Sequence, residues 1–130
     1  MTFEEIRKKA LGSLDGTGIT VLKAGNGEAL VEMELKPEHF NFMGIVYGGT
    51  LYFLADVAAG VASMNSGKGS GPTVSGNMQF LNAAHGTKLL GKARIVKAGR
   101  MLNFAEVEVT SPEGKLFCTA QFSFANTLHD

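Results

Sequence analysis

The sequence predicts an α+β fold, a curved antiparallel sheet wrapped around one long central helix, in a single domain spanning residues 1–130. Three observations lead there. Residues 48–65 form the one long helical segment and are apolar on nearly every side, as a buried helix is. The segments around it alternate apolar and polar residues and are separated by turn signals, the pattern of antiparallel strands and not of βαβ units. A sheet of about six such strands has to cover one face, and only the 48–65 helix is there to cover it.

The elements follow in order. Residues 2–11 read as a short amphipathic helix, with Thr2 as cap, Glu4 and Glu5 in the first turn and Lys8 and Lys9 in the last. Two strands, 19–24 and 28–35, are joined by Gly25-Asn26-Gly27, and Asn-Gly is the strongest short hairpin signal. In the second, Val31, Met33 and Leu35 alternate with Glu32 and Glu34, so one face is buried and one is wet. After the long helix, the run S-G-K-G-S-G-P (66–72) reads as a flexible exit loop. Strands are expected over 73–81, 88–97, 101–110 and 115–125, and Ser111-Pro112-Glu113-Gly114 suits a type I turn between the last two.

Composition narrows the function. The chain carries 12 Lys plus Arg and 12 Asp plus Glu, so its formal net charge is zero and it lacks the electrostatic footprint of a non-specific nucleic-acid binder. A chain without net charge is prone to self-association, which favours a symmetric oligomer. One cysteine, Cys118, cannot form an internal disulfide and has no metal-ligand spacing around it, which points to a reducing, cytoplasmic setting and to no metal. The charged N-terminus lacks the apolar stretch of a signal peptide, and no apolar window is long enough for a membrane span.

Asp56 is the first anomaly. It is the only formally charged side chain between Glu38 and Lys68, and it stands mid-helix in the most apolar part of the chain. Burying an unpaired carboxylate there costs several kcal/mol in order of magnitude. Such a group is either a helix position that meets solvent or a general base or nucleophile. Gly48 and Gly49 open the same helix. They fit a tight turn or close packing, and equally a site where unpaired helix N-terminal N–H groups stabilise a carbonyl oxygen turning into an oxyanion. Gly49 and Asp56 are about 10 Å apart along one helix axis, so one small acyl group cannot touch both. If both act on one carbonyl, the carboxylate comes from another subunit, and two helices side by side and antiparallel in a dimer would arrange this.

The run N-F-M-G-I-V-Y-G-G-T-L-Y-F-L-A-D (41–56) resembles the signature of the hotdog-fold acyl-CoA thioesterases of the phenylacetic-acid-degradation (PaaI-like) family. That pattern is Asn, Gly, His-Gly-Gly, then Leu-Ala-Asp within the helix. The resemblance continues through T-V-S-G-N-M-Q-F-L (73–81), K-A-G-R (97–100) and the last two strands, and so covers most of the chain. It implies hydrolysis of an acyl- or arylacyl-CoA to free acid and coenzyme A. Asp56 would be general base or nucleophile, the Gly48 and Gly49 amides would polarise the thioester carbonyl, and Asn41 would orient substrate or water. Thr73 would help hold the water, and Lys97, Gly99 and Arg100 would lie near the coenzyme A phosphates. Coenzyme A is then part of the substrate and no resident cofactor is needed. The assembly implied is a homodimer with shared active sites, paired into a tetramer, with no nucleic-acid or membrane partner.

One position departs from the pattern. The usual His before Gly-Gly is Tyr47, which can donate a hydrogen bond but is no proton shuttle at neutral pH. The runner-up reading is therefore a non-catalytic acyl-CoA binding module on the same fold. A hydratase or dehydratase ranks lower, because it needs a catalytic His where Tyr47 stands. His39 reads as a loop cap, His85 as solvated, His129 as part of a terminal tail and Cys118 as a core thiol. The 66–72 loop fits neither glycine-rich phosphate-binding pattern.

Overall fold

The computed structural model describes residues 8, 11–67 and 69–127. Most of the helix expected over residues 2–11 lies outside this set, as do Lys68 and His129. Six strands form one antiparallel sheet: β1 (Ile19–Gly25), β2 (Glu28–Glu34), β3 (Thr73–Phe80), β4 (Lys88–Ala98), β5 (Leu102–Thr110) and β6 (Leu116–Ala125). Their order across the sheet is β1-β2-β4-β5-β6-β3. Helix α1 (Gly48–Met64) lies along the inner face.

The first hairpin closes as its sequence asks. Asn26 and Gly27 both take positive φ, 53° and 73°, the requirement of a two-residue type I′ turn. β2 then presents Ala29, Val31 and Met33 to the core, opposite Ala93, Gly91 and Leu89 of β4. The helix sinks into the curved sheet because its inward residues are small: Ala55, Ala58, Ala59 and Ala62 have no exposed surface. At Gly91 the approach is closest. A Cβ there would stand 3.1 Å from the Val31 side chain and 3.3 Å from that of Ala58.

Three expectations need correction. The helix is not buried all round: its C-terminal half is enclosed, but Tyr52 and Phe53 near its start are 37% and 42% exposed. Their apolar character made the segment look uniformly internal, while the sheet covers only the side carrying Leu51, Leu54 and Ala55. Phe117, which strict alternation with the core thiol Cys118 would put on the outer face of β6, is buried along with it. The register shift between β5 and β6 at Val109/Thr110 accompanies this break in alternation. Finally, the 66–72 loop is tied down, since Ser66 and Gly69 both accept hydrogen bonds from the Asn103 side chain.

Candidate active site

Helix α1 lies against β3 along a single stripe. Gly48, Tyr52 and Asp56, one turn apart, share a face of the helix. Each meets a residue of β3 in reverse order. A Cβ at Gly48 would lie 3.3 Å from the Phe80 ring, so glycine lets that ring sit on the helix start. The Tyr52 hydroxyl covers Gly76, and its ring packs edge-on to Phe122 at 5.2 Å. Thr73 Oγ1 donates a hydrogen bond to Asp56 Oδ1 at 2.8 Å. The structure thus brings Asp56 and Thr73 into direct contact, with Asp56 half-buried and Thr73 exposed.

The helix N-terminus is an electrophilic end. Tyr47 is its N-cap and makes no side-chain cap bond, and the first turn holds no acidic residue. The Tyr47 carbonyl accepts from Thr50 and Leu51, so the first partners taken up lie beyond the Gly48 and Gly49 amides. Gly49 has open space around its Cβ position. A shallow pocket of about 270 Å³ opens beside it, lined among others by Met33, His39, Thr50 and Phe53. Asp56 does not line this pocket. Within one chain the amides and the carboxylate are separated along the helix, as the rise per residue requires.

The entry loop is held by Asn41. Its Oδ1 accepts from the backbone of Met43 (2.9 Å) and Ile45 (3.2 Å), and Gly44 takes a φ of +74° to complete the turn. The side-chain carbonyl is thus engaged within the loop, and only its Nδ2 remains to meet a substrate. This exposes Phe42 (96%) and Met43 on the loop tip beside Tyr47. His39 acts as a cap: its Nδ1 accepts from the Lys36 N–H at 2.9 Å, which leaves the ring proton on Nε2. Its carbonyl accepts from the Tyr47 N–H.

Lys97, Gly99 and Arg100 fall at one end of the sheet, away from the helix start. Lys97 lies in strand β4, as expected, and Gly99 and Arg100 form the turn into β5. Gly99 has a packing reason of its own, because a Cβ there would be 2.7 Å from the Leu102 carbonyl. Lys97 and Arg100 are exposed. Cys118 is buried, and burial pushes its thiol up to about 11, so it is a neutral core group at physiological pH. His85 is exposed. No cluster of three His, Cys, Asp or Glu able to hold a metal exists among the described residues.

A family model described as the thioesterase superfamily matches residues 43–118. The chain belongs to that superfamily. Its six-stranded sheet around one helix is the hotdog fold, and this thioesterase is similar over its length to known members. The zebrafish thioesterase superfamily member 2 is 29% identical, with a TM-score of 0.83 over 97% of this chain and 99% of that one. A solved variant of the phenylacetic acid degradation protein PaaI from Thermus thermophilus is 29% identical, with a TM-score of 0.79 over 88% of this chain and 98% of that one. Human acyl-coenzyme A thioesterase 13 is 31% identical over 101 residues, 75% of this chain. The thioesterase spans 66–72% of the length of the curated relatives it matches.

Two features of the site went unread in the sequence. The stripe Gly48–Tyr52–Asp56 was visible as helical spacing, but its partner surface on β3 depends on where the topology puts that strand. Asn103, which ties the 66–72 loop, could have been found from its phase, since it occupies the same strand face as Ala105, Val107 and Val109.

Proposed function

We propose that this thioesterase hydrolyses acyl- or arylacyl-CoA at two sites, each built by two copies of the chain. The observation that carries the reading is the reversed match of helix and strand: Gly48 on Phe80, Asp56 on Thr73. β3 is an edge strand with seven of its eight residues exposed and none charged. Two such edges pairing antiparallel about a two-fold axis set the Phe80 end of one strand against the Thr73 end of the other. The helix start of one subunit then faces the Asp56–Thr73 pair of its partner. That relieves the separation of about 10 Å within a single chain.

In this site the thioester carbonyl oxygen rests on the Gly48 and Gly49 amides, whose N–H groups meet the negative charge that develops on it. Asp56 of the other subunit takes a proton from water as the water oxygen bonds to the carbonyl carbon. The tetrahedral intermediate collapses, the carbon–sulfur bond breaks, and the thiolate of coenzyme A leaves to be protonated. If Asp56 attacks instead, a mixed anhydride forms and water resolves it. Heavy-oxygen water in a single turnover identifies the second route when water attacks the aspartyl carbonyl of the anhydride, because only that attack puts the label in Asp56. Thr73 orients the carboxylate, and Asn41 Nδ2 and Tyr47 lie at the helix entrance to hold substrate or water. Lys97 and Arg100 meet the coenzyme A phosphates beside the Gly99 turn.

Two such dimers form a tetramer in this reading, and the lone buried thiol suits a reducing compartment such as the cytoplasm. No described helix is long and apolar enough to cross a membrane. Thiol release measured across short, aromatic and long acyl-CoAs tests the proposal. Turnover of at least one class supports it. Tight acyl-CoA binding with no turnover would instead favour a binding module, with Tyr47 in the place of the family's histidine as its cause.

A further inference from the structure

A buried amide relay joins two surface elements that are distant in sequence. Asn103 is fully enclosed, and its Nδ2 donates to Ser63 Oγ (2.9 Å), Ser66 Oγ (3.3 Å) and the Gly69 carbonyl (3.3 Å). Its Oδ1 accepts from Asn126 Nδ2 at 2.8 Å, and the same Nδ2 donates to the Gly99 carbonyl at 2.6 Å. Both backbone carbonyls can only accept, so they fix the two amide nitrogens in this one orientation. The backbone adds two clamps: Ala125 N–H donates to Pro72 and Asn126 N–H to Met101, at 3.0 and 2.9 Å. Ala125 and Asn126 thus lie between the 66–72 loop and the turn carrying Gly99 and Arg100, and fasten both.

This end of the sheet is also the Asp56 end. Thr73 pairs with Phe124, Phe124 with Asn103, and Asn103 with Ala98, in one row across β3, β6, β5 and β4. Three strand spacings put the turn about 14 Å from Thr73. An exposed arginine on an untethered turn would have to be ordered each time it bound a phosphate, whereas a pinned turn has its backbone set beforehand.

We infer that Asn126 and Asn103 are positioning residues for coenzyme A recognition, acting through the Gly99–Arg100 turn that they pin. The inference rests on the proposed contact between Arg100 and the coenzyme A phosphates. Asn126→Asp is nearly isosteric but turns an acceptor toward the Gly99 carbonyl and Asn103 Oδ1, so it releases the turn. The test is a double-mutant cycle of wild type, Arg100→Ala, Asn126→Asp and the double variant, with the Kd of free coenzyme A read by calorimetry. Each single change is expected to weaken binding roughly 5- to 10-fold, and the double variant to be little weaker than the worse single, because both act on one contact. The salt dependence of Kd should flatten in both singles. If Asn126→Asp is poorly folded, Asn126→Ser, which keeps a shorter donor, is carried through the same cycle below its unfolding midpoint. Unchanged binding in the Asn126 variants beside a weakened Arg100→Ala overturns the relay and leaves the phosphate contact standing. Unchanged binding in Arg100→Ala overturns the phosphate contact and the relay with it. Fully additive effects overturn the relay, since Asn126 would then act elsewhere.

Discussion

The two edges of the sheet are built to opposite ends. β1 carries Lys23 and a register shift between Val21 and Lys23, two devices that discourage a further strand from pairing. β3 has no charged residue, and its register shift lies at its first residues, Thr73 to Ser75, which leaves Gly76 to Phe80 regular. It also shows Val74 and Phe80 to solvent, and the helix stripe bearing Asp56 lies along it. The contrast is between a guarded edge and an uncharged, exposed one, and the exposed edge is the one that meets the helix stripe bearing Asp56, which is why the proposed dimer uses it.

The largest effect should come from closing the open edge. Asn77 stands at the middle of β3, and Asn77→Lys places like charges near each other across a two-fold pairing. Sedimentation should show a monomer, and turnover should fall by a factor on the order of 10² or more, the scale expected when a general base is lost from the site. Thr20→Lys on β1 is the control, and should change neither mass nor rate. Equal effects at both edges would remove the distinction between them.

Next comes the carboxylate that this edge would deliver. Asp56→Asn keeps size and shape but cannot take up a proton, and kcat should fall roughly 10²-fold. Thr73→Ala removes one hydrogen bond to that carboxylate, and a loss of roughly 10-fold is expected from a bond to a charged group. A folded Asp56→Asn protein with near wild-type turnover would contradict the role.

Much of this architecture was legible beforehand, and the exceptions have physical causes. Val31 and Met33 announce β2 by alternation, and Asn26-Gly27 announces its hairpin, because both are local rules. The place of β3 beyond β6 was hidden, since T-V-S-G-N-M-Q-F lacks alternation and its pairing with β6 is decided by distant residues. Tyr52 and Phe53 misled for a related reason: apolar residues left on the surface read the same in a sequence as apolar residues of the core. In the site, Asp56, Gly48 and Gly49 stood out as local anomalies. Asn103 showed only as a polar residue in phase with Ala105, Val107 and Val109, and Asn126, just past β6, gave no local signal, because its acceptors lie in distant segments.

A smaller effect distinguishes two glycines of the same region. Gly76→Ala would push a Cβ to 2.7 Å from the Phe122 ring and into the Tyr52 hydroxyl, and should destabilise the fold by about 1–3 kcal/mol in thermal or urea unfolding. Gly49→Ala meets open space and should leave stability unchanged or slightly raised. The smallest effect is at Arg100. Arg100→Ala should raise KM for acyl-CoA several-fold with kcat nearly intact, as an exposed contact made equally in ground and transition states does. An acyl-pantetheine, lacking the nucleotide, should be nearly indifferent, and equal losses on both substrates would assign Arg100 to the fold instead.

The central claim, a site shared across the β3 edge, is tested most directly by complementation. Asp56→Ala removes the carboxylate, and Gly49→Pro removes an oxyanion N–H in the first turn, where no intrahelical bond is lost. Each protein alone should be inactive. In a reassociated equal mixture, half of the dimers are hybrids and one of the two sites in each hybrid is whole, so about a quarter of wild-type activity should return. A mixture that stays as inactive as its parents, with hybrids verified by native mass spectrometry, would show that Gly49 and Asp56 do not act across the interface.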